Sequence, residues 1–467
     1  MKVSTEEIID SQNRLFFRLL GAFFFIELSV IFFLFLAQAF GQDELESIHD
    51  AWKIFLGQRI FIDFFEHHHP FFYYLLVPIV AAFKENVMVM IAARMLIFLL
   101  FLLILVITYK VARNLYGKIS AIISLVLLPA TMIFIIRAIQ IRPEVPQTLF
   151  GLLALLFLFF YFERNSLKYL ILSSIFLAVS FLFLQIAVFF IFVILALLSF
   201  EVFSNRIKLR DLIFFLLAFT AVLLPYYMYL VFEGQLHNYM VCNWGANSYM
   251  LQGNLPWVNK IVCLFGYFFK QNTLLWIFWP LSLLFLDTPN KKRMAAVTLL
   301  YLTTLISINA FWPQYYILVV PLMVIMAADA IWRVSCLLLK KGSWGVGGIV
   351  VLYIFSPFNA YLNTIEASPC AQELREMKYV LSITKPGDFV FDGAMRVNLF
   401  RNDLDFFWFS FNLSGWFQNR PHYSFYELID KFKPKVITPF PVGMNDRGIF
   451  SHYHRSDKYP DLFIRVD

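Results

Sequence analysis

The chain has 467 residues, of which 60% are hydrophobic and 15% are charged, and its formal net charge is +7. This composition excludes an ordinary soluble protein, because soluble domains contain fewer apolar residues. Several apolar runs exceed the length of about 18 residues that crosses a bilayer, so the sequence predicts a polytopic helical membrane protein. The Lys and Arg excess does not indicate a nucleic-acid partner, because these residues cluster in short loops between spans.

The apolar runs and the breaks between them predict eleven membrane spans. The spans cover about residues 15–38, 87–109, 119–137, 147–162, 168–184, 186–203, 211–231, 273–287, 294–309, 315–336 and 344–362. The basic loop clusters all fall on one side only if the short apolar stretch at 71–83 does not cross. We therefore expect a cytoplasmic N-terminus and an extracytoplasmic C-terminus. Short loops favour a bacterial inner membrane.

The first outward loop, residues 39–86, is the most polar segment of the first two hundred residues. Its apolar residues recur on one face of a helix that we expect to lie in the membrane interface: Leu45, Ile48, Trp52 and Phe55. Polar residues fall on the other faces: Glu46, His49, Asp50 and Lys53. Asp43 opens this helix, and one interpretation of the pair Asp43 and Glu46 is a capping box.

Three later outward segments also contain polar residues. Residues 137–147 (RAIQIRPEVPQ) hold two arginines and a glutamate beside prolines, which stop helices from continuing. Residues 233–272 are rich in Asn, Gly, Tyr and Trp, and residues 309–316 read NAFWPQYY. We expect these segments to share the outward side with the first loop.

The composition changes after Thr364, and residues 365–467 are mixed and charged. Their patterns predict helices at about 371–383 and 424–432, and strands at 389–391 and 436–438. The sequence therefore predicts two domains, a transmembrane domain at 1–364 and a small extracytoplasmic α/β domain at 365–467. The second contains no nucleophile elbow, phosphate loop or metal motif, so we expect a lid or an acceptor platform.

The motif order resembles that of a known family. An acidic pair, then DFFEHHHPFFYY, then Arg142-Pro143-Glu144, then WPQYY at 312–316, is similar to the C-type (GT-C) membrane glycosyltransferases. Within them, residues 10–360 look most like the branch of the lipid A aminoarabinose transferase and the protein O-mannosyltransferases. The resemblance implies an all-α fold of about eleven transmembrane helices that transfers a sugar from a polyprenyl-phosphate donor to an acceptor hydroxyl outside, with inversion. A transporter or flippase of lipid-linked precursors is the alternative, although no internal repeat supports it.

By this resemblance, Asp43 lies where the family's catalytic base lies, and Glu144 is the second acidic group of the site. Inverting transfer needs a carboxylate that takes the acceptor proton while the phosphate leaves. The leaving phosphate needs positive charge, for which the outward candidates are Arg59, Lys84, Arg137 and Arg142. Of these we favour Arg142 and Arg59, with His68 or His69 assisting. The chain departs from the aminoarabinose branch at Glu46, where that branch has Arg, and at His68, where it has Lys.

The same resemblance places five residues in the substrate cavity: Glu44, Glu66, Gln314, Tyr315 and Tyr316. The tyrosines are also explained as an interfacial aromatic belt. No cofactor is required by the motifs, but a divalent cation stays open, held either by Glu66, Asp63 and residues 67–69 or by Asp43 and a histidine. Consecutive histidines rarely converge, which favours a hydrogen-bonding or phosphate-facing role. The expected partners are a polyprenyl-phosphate sugar, a lipid, glycan or protein acceptor and membrane lipids; the sugar and the acceptor stay open.

Overall fold

The chain folds mainly into helices, followed by a small mixed sheet. The computed structural model describes residues 5–250, 256–264, 266, 272–308, 312–337, 343–355, 370–393, 395–407, 423–438 and 452–466. The first helices are α1 Thr5–Ala37, α2 Gln42–Phe55, α3 Phe71–Phe83, α4 Val89–Tyr116, α5 Lys118–Leu127, α6 Met132–Arg137, α7 Glu144–Arg164, α8 Leu167–Phe183, α9 Ala187–Phe203 and α10 Leu209–Phe232.

Shorter helices and turns follow. They are α11 Leu236–Tyr239, a π-helical turn Met240–Gly245, α12 Ala246–Met250, α13 Trp257–Leu264, α14 Thr273–Leu281 with a 3-10 turn Ser282–Phe285, α15 Pro289–Ser307, a 3-10 turn Pro313–Tyr316, α16 Val319–Leu337 and α17 Ser343–Phe355. The C-terminal part contains α18 Cys370–Ile383, β1 Val390–Asp392, α19 Phe425–Phe432, β2 Val436–Thr438, β3 Tyr453–Arg455 and β4 Phe463–Arg465.

Five described helices are long and apolar enough to cross a membrane: 16–37 within α1, then α4, α7, α10 and α16. Shorter apolar helices include α3, α5, α8, α9 and α14 with its 3-10 turn. Helices therefore form where the apolar runs predict them, whereas the number of spans and the orientation of the chain stay predictions. The run at 119–137 is divided near Pro129, because proline has no N–H and clashes with the preceding turn. Residues 356–362 of the last predicted span lie outside the described residues.

The long helices pack into one bundle. Helix α4 packs against α5 and α7, α7 against α8, and α8 against α10, while α16 packs against α14 and α5. A single apolar core extends from α1 to α17 and continues into the first outward loop. Helices α2 and α3 of that loop pack against each other and against α4. The loop is therefore part of the folded body.

Helix α2 differs from the predicted interfacial helix in one respect. Residues 44–53 are all buried, so the faces that carry Glu46, His49, Asp50 and Lys53 are covered. The predicted capping box of Asp43 and Glu46 is also wrong. Gly41 is the N-cap, and its backbone N–H donates to Glu44 Oε2 at 2.8 Å. The Asp43 carboxylate is consequently not used as a helix cap.

Glu44 and Arg94 form a buried ion pair that joins four segments. Arg94 Nε and Nη2 donate to the two Glu44 carboxylate oxygens at 2.9 and 2.8 Å. The remaining Arg94 donors reach the carbonyls of Phe35, Gln38 and Ala39 at the end of α1. Glu44 Oε1 also accepts from the Ile141 backbone N–H at 3.1 Å. Arg94 is 1% exposed, so it does not extend toward the membrane surface as an unpaired arginine in a span would.

The described C-terminal residues contain two helices and a small mixed sheet. Its four strands have the order β1-β2-β4-β3 within the described residues. Strands β1 and β2 are parallel, and β4 is antiparallel to both β2 and β3. Helix α18 and strands β1 and β2 occur where the sequence predicts them, whereas β3 and β4 were not predicted. Two small apolar clusters form its core, one of which includes Phe391, Leu428 and Ile437.

The C-terminal unit is bound directly to the first outward loop. His49 Nδ1 lies 3.0 Å from the Leu399 carbonyl and His49 Nε2 lies 2.9 Å from Asp403 Oδ2, which also pairs with Lys53. Arg401 Nη1 donates to Glu85 Oε2 at 2.7 Å. The Phe40 backbone N–H donates to Glu373 Oε2 at 2.6 Å, and the Phe65 N–H donates to the Phe406 carbonyl at 2.9 Å. The contacts of His49 and Lys53 cover part of the polar face of α2.

The Glu44–Arg94 pair gives a first prediction about stability. Arg94→Ala leaves the buried Glu44 carboxylate without its counter-charge, which costs about 3–5 kcal/mol. We expect a large fall in melting temperature for the purified protein in detergent. Arg113→Ala removes an exposed arginine from the same helix and should melt close to the wild type. Equal melting of the two variants would contradict a structural role for the pair.

Glu373 gives a prediction about pH. Burial raises the pKa of Glu373 from 4.5 to about 7, although the Phe40 N–H opposes the shift. Because the pKa in the folded protein is raised, its contribution to stability is full below pH 4.5 and is lost as pH rises through about 7. The melting temperature of Glu373→Gln should therefore fall less than that of the wild type between pH 5 and 8. Asp457→Asn, at an exposed carboxylate of the same unit, should keep the wild-type pH dependence.

Candidate active site

Asp43, Arg142 and Glu144 meet where the first outward loop lies against the segment 137–147. Arg142 Nη1 donates to Asp43 Oδ2, while Nε and Nη2 donate to the two Glu144 oxygens at 3.2 and 3.1 Å. The structure therefore brings Asp43 together with two residues that lie about a hundred positions later in the sequence. Glu144 opens α7, where the partial positive charge of a helix N-terminus favours a carboxylate.

The three side chains differ in exposure. Those of Arg142 and Glu144 are 5% and 2% exposed, whereas that of Asp43 is 46% exposed. Burial alone would raise the pKa of Asp43, but the charge and hydrogen bond of Arg142, with smaller effects of His68 and Arg137, hold it below its ordinary value. Asp43 is therefore ionised at neutral pH, and its Oδ1 has no partner among the described residues. It is the accessible carboxylate of the trio.

Arg137, His68 and Tyr315 lie around this trio. The charges of Arg137 and His68 act on Asp43, and those of Glu144, Arg142 and Asp43 act on Tyr315. Arg137 Nη1 donates to the neutral Gln140 Oε1 at 3.2 Å, and its buried Nε has no partner within the described part of the chain. Arg142 is neutralised by two carboxylates, whereas Arg137 has no ion-pair partner among the described residues. Arg137 is therefore the better placed cation for an added anion.

Residues 66–68 form a tight turn around one carboxylate. Glu66 Oε1 accepts from the backbone N–H groups of His67 and His68 at 2.7 and 2.8 Å and contacts His68 Nδ1 at 2.8 Å. Burial opposes ionisation of Glu66, but its hydrogen bond and charge interaction with His68 lower its pKa overall. The same contact raises the pKa of His68 against the effect of burial. Glu66 is fully buried, so it holds this turn instead of lining an open cavity.

His69 points away from the other two histidines. Its Nδ1 lies 2.5 Å from the Phe181 carbonyl and its Nε2 lies 2.9 Å from the Tyr239 hydroxyl. Nδ1 therefore donates to the carbonyl and Nε2 accepts from the hydroxyl, which uses both ring nitrogens. Burial lowers the pKa of His69 to about 3, so the ring is neutral. A buried neutral imidazole with two partners does not serve as the phosphate contact that the sequence suggested.

We call residues 66–68 the histidine turn. Three buried carboxylates meet there: Glu66 of the turn itself, and Glu46 and Asp50 of α2. Glu46 and Asp50 of α2 are each within hydrogen-bond distance of Glu66. Burial, followed by the charge of Glu66, raises the pKa of both Glu46 and Asp50. One ligand atom from each of Glu46, Glu66, His67 and His68 lies within 4.8 Å of the others. This set differs from the predicted cation site, because Glu46 replaces Asp63 and His69.

The other predicted site residues lie outside the trio. Arg59 and Asp63 pair with each other at an exposed turn, and Lys84 is exposed at the end of α3, about 20 Å of helix beyond the histidine turn. Glu44 is 0% exposed and uses both oxygens in the pair with Arg94, so it does not line a cavity. Tyr316 is buried near Tyr301, whereas Gln314, beside Tyr315, has a buried Oε1 without a partner in the described structure.

An apolar groove begins next to the histidine turn. It has a volume of about 500 Å³ and runs between helices α3, α8 and α10. The lining residues are Phe71, Tyr74, Val179, Leu182, Val222, Pro225, Tyr226 and Tyr229. Phe71 is the first residue of α3 and follows His68 by three residues, so the groove reaches the end of α3 that adjoins the histidine turn. This arrangement fits a ligand with a charged end and an apolar tail.

Several residues that support the site were not predicted. The His67 carbonyl accepts from the side chains of Gln185, Asn243 and Asn247 at 2.9, 2.9 and 2.6 Å. Asn243 lies in a π-helical turn, a rare feature that is frequent at functional sites. The spacing of Asp43, Glu46 and Asp50 at i, i+3 and i+7 places them on one face of α2, and this signal could have identified the carboxylate cluster.

Comparison with known proteins identifies the fold. Residues 67–232, which include the histidines, Arg142 and Glu144, match the family described as dolichyl-phosphate-mannose-protein mannosyltransferase. The apo structure of ArnT from Cupriavidus metallidurans superposes with a TM-score of 0.60 at 13% identity, over 82% of this chain and 83% of that one. The chain has the GT-C fold.

Two further solved structures have a fold similar to that of this chain. ArnT from the same organism bound to undecaprenyl phosphate has a TM-score of 0.55 at 16% identity, over 79% of this chain and 69% of that one. The apo oligosaccharyltransferase of Archaeoglobus fulgidus has a TM-score of 0.56 at 13% identity, over 90% of this chain and 69% of that one. A sequence search of curated proteins found no match. The predicted resemblance to GT-C glycosyltransferases related to ArnT and the mannosyltransferases is confirmed.

Proposed function

We propose that this protein transfers a sugar from a polyprenyl-phosphate donor to an acceptor hydroxyl, with inversion at the anomeric carbon. The observation that carries the proposal is the half-exposed, ionised Asp43, held by Arg142 near an apolar groove. Structures with the same fold hold such carriers: one ArnT structure contains undecaprenyl phosphate, and the Archaeoglobus fulgidus enzyme AglB was solved with dolichol phosphate and an inhibitory peptide. The GT-C fold therefore accommodates the carrier lipid of such a donor.

The donor would lie along α3. The isoprenoid tail would occupy the groove between α3, α8 and α10, where it is shielded from water. Its phosphate would then lie near the N-terminal end of α3, beside His68 and Arg137. Arg137 supplies a cation without an ion-pair partner among the described residues, and His68 supplies a ring with a raised pKa. Charge-assisted hydrogen bonds from such groups stabilise the phosphate as it leaves.

Asp43 would accept the acceptor proton. The acceptor oxygen forms its bond to the anomeric carbon while the bond from that carbon to the phosphate oxygen breaks, and the polyprenyl phosphate leaves with the electron pair. Asp43 Oδ1 takes the hydroxyl proton as the new bond forms. Arg142 and Glu144 act as positioning residues, because Arg142 fixes Asp43 Oδ2 and Glu144 fixes Arg142. Tyr315 and Gln314, in the 3-10 turn Pro313–Tyr316, would also contact the substrate.

The reaction would take place on the outer face of a membrane, which we infer to be a bacterial inner membrane with the N-terminus inside. The C-terminal α/β unit would be extracytoplasmic, since it binds the same loop that holds Asp43. The acceptor is a lipid, a glycan or a protein, and the donor sugar is a hexose or a pentose. These identities are determined by assay with defined donors and acceptors.

Asp43→Asn tests the role of the base. The amide cannot take the proton, so we expect turnover to fall by about 10²- to 10⁴-fold. The assay follows release of undecaprenyl phosphate from a panel of undecaprenyl-phosphate hexoses and pentoses, with lipid, glycan and protein acceptor fractions. Asp63→Asn, an exposed carboxylate of the same loop, should keep wild-type turnover. Normal transfer by Asp43→Asn removes Asp43 as the base, and proton-driven transport without transfer would favour the flippase alternative.

Arg137→Ala tests the phosphate contact. Loss of one charge-assisted hydrogen bond should weaken binding of undecaprenyl phosphate by roughly 10-fold or more. Binding is measured on purified protein in detergent, so neither the sugar nor the acceptor needs to be known. Arg59→Ala is the matched control, because Arg59 is exposed and pairs with Asp63. The opposite result, in which only Arg59→Ala weakens binding, would move the phosphate to that exposed turn.

A further inference from the structure

The carboxylate cluster beside the histidine turn is not used by the proposed transfer reaction. Glu46, Asp50 and Glu66 are 5%, 0% and 0% exposed, respectively, and lie within hydrogen-bond distance of one another through Glu66. Both Asp50 oxygens, Glu46 Oε1 and Glu66 Oε2 are buried without a hydrogen-bond donor in the described structure. Four carboxylate oxygens are therefore buried at this turn without a donor from the described residues.

Burial of several carboxylates needs compensation. A single ionised carboxylate in a protein interior is costly unless it is paired, and adjacent carboxylates repel each other. Lys53, the nearby cation of α2, already binds Asp403 of the C-terminal unit. His68 contacts Glu66 Oε1 and leaves Glu66 Oε2 unused. Either shared protons or a bound cation must therefore neutralise the cluster.

The donor set is that of a divalent transition-metal site. One atom from each of Glu46, Glu66, His67 and His68 lies within 4.8 Å of the others, whereas ligand atoms around tetrahedral zinc lie about 3.3 Å apart. The rings of His67 and His68 have centroids 3.8 Å apart, so these neighbours converge despite their adjacency in sequence. The His67 carbonyl is fixed by Gln185, Asn243 and Asn247, which holds the turn in this form. Mixed imidazole and carboxylate ligands suit Zn²⁺ and Co²⁺ better than Mg²⁺.

We propose that Glu46, Glu66, His67 and His68 bind one divalent transition-metal ion, with Asp50 as a further oxygen donor. In the metal-bound state His68 ligates through one ring nitrogen and contacts the phosphate only through the N–H of the other. The ion neutralises the cluster and joins α2 to the histidine turn. The ion would lie beside the Asp43 site. It is not needed to hold Asp43, because Arg142 already binds that carboxylate. Metal binding is measured without sugar transfer, so its failure and a failure of the proposed reaction remain distinguishable.

Cobalt binding to the whole chain tests the site. The purified protein is stripped with EDTA in detergent and titrated with Co²⁺, whose visible absorption reports coordination by protein ligands. We expect saturation at about one ion per chain and displacement of the cobalt spectrum by Zn²⁺ but not by Mg²⁺. Saturating Zn²⁺ should also raise the melting temperature by roughly 5 °C, because the ion binds the folded protein only.

Conservative variants separate a metal site from a proton-sharing cluster. Glu46→Gln and Glu66→Gln should lose the cobalt spectrum and the Zn²⁺-dependent rise in melting temperature. Glu46→Gln should melt at or above the wild type in EDTA, because it removes one repelling carboxylate, so its loss of metal binding is not explained by unfolding. Asp63→Asn and His69→Gln change the neighbouring residues outside the proposed set and should keep the cobalt spectrum wherever the variant is folded.

Two results would overturn the metal site. The first is the absence of a cobalt spectrum and of any Zn²⁺-dependent melting shift in the folded wild type, which would leave shared protons as the neutralising species. The second is retention of both signals in Glu46→Gln and Glu66→Gln, which would place the ion elsewhere. Loss of both signals in Asp63→Asn would then locate the ion at the exposed turn.

Discussion

The buried pair of Glu44 and Arg94 determines where the candidate active site can form. All five N–H donors of Arg94 are used, by two Glu44 oxygens and three carbonyls at the end of α1. Each Glu44 oxygen also accepts a backbone N–H, one from Gly41 and one from Ile141. A fully satisfied network of this kind rigidifies the segments that it joins. Since Asp43 precedes Glu44 and Arg142 follows Ile141, the pair also fixes the two loops that bring Asp43 to Arg142.

The Glu44–Arg94 network is closed to solvent, whereas the neighbouring network of Arg142, Asp43 and Glu144 is partly open. The network of Glu44 and Arg94 is closed, because its charges and hydrogen bonds are all matched inside the protein. The neighbouring network leaves one carboxylate partly open: Arg142 is shared by Glu144 and Asp43, and the Asp43 side chain is 46% exposed. A functional side chain is held in one position when the residues that contact it are themselves rigidly held. An adjacent closed network therefore allows Asp43 to be both accessible and fixed.

The sequence predicts the helices and the fold better than the contacts between residues that are distant in the chain. Apolar runs locate most of the helices, and the motif order identifies the GT-C fold, because periodicity and spacing are local properties. Strands β3 and β4 were missed, since three residues are too few to show an alternating pattern. His68 and His69 are adjacent, yet their roles diverge, because the partners of His69 come from Phe181 and Tyr239, more than a hundred residues away. No single-sequence pattern contains that information.

The contacts of helix α2 favour a C-terminal unit that is fixed against the first outward loop over a mobile lid. A helix of 14 residues is marginal by itself, so its position depends on what packs around it. His49 and Lys53 face Asp403 of the C-terminal unit, while Glu46 and Asp50 face Glu66 of the histidine turn. Removal of the C-terminal unit would expose the buried side chains of His49 and Lys53 and leave both without Asp403. The direct bonds at Phe40, His49, Lys53, Phe65 and Glu85 therefore favour a fixed platform, against which an acceptor would be presented to Asp43.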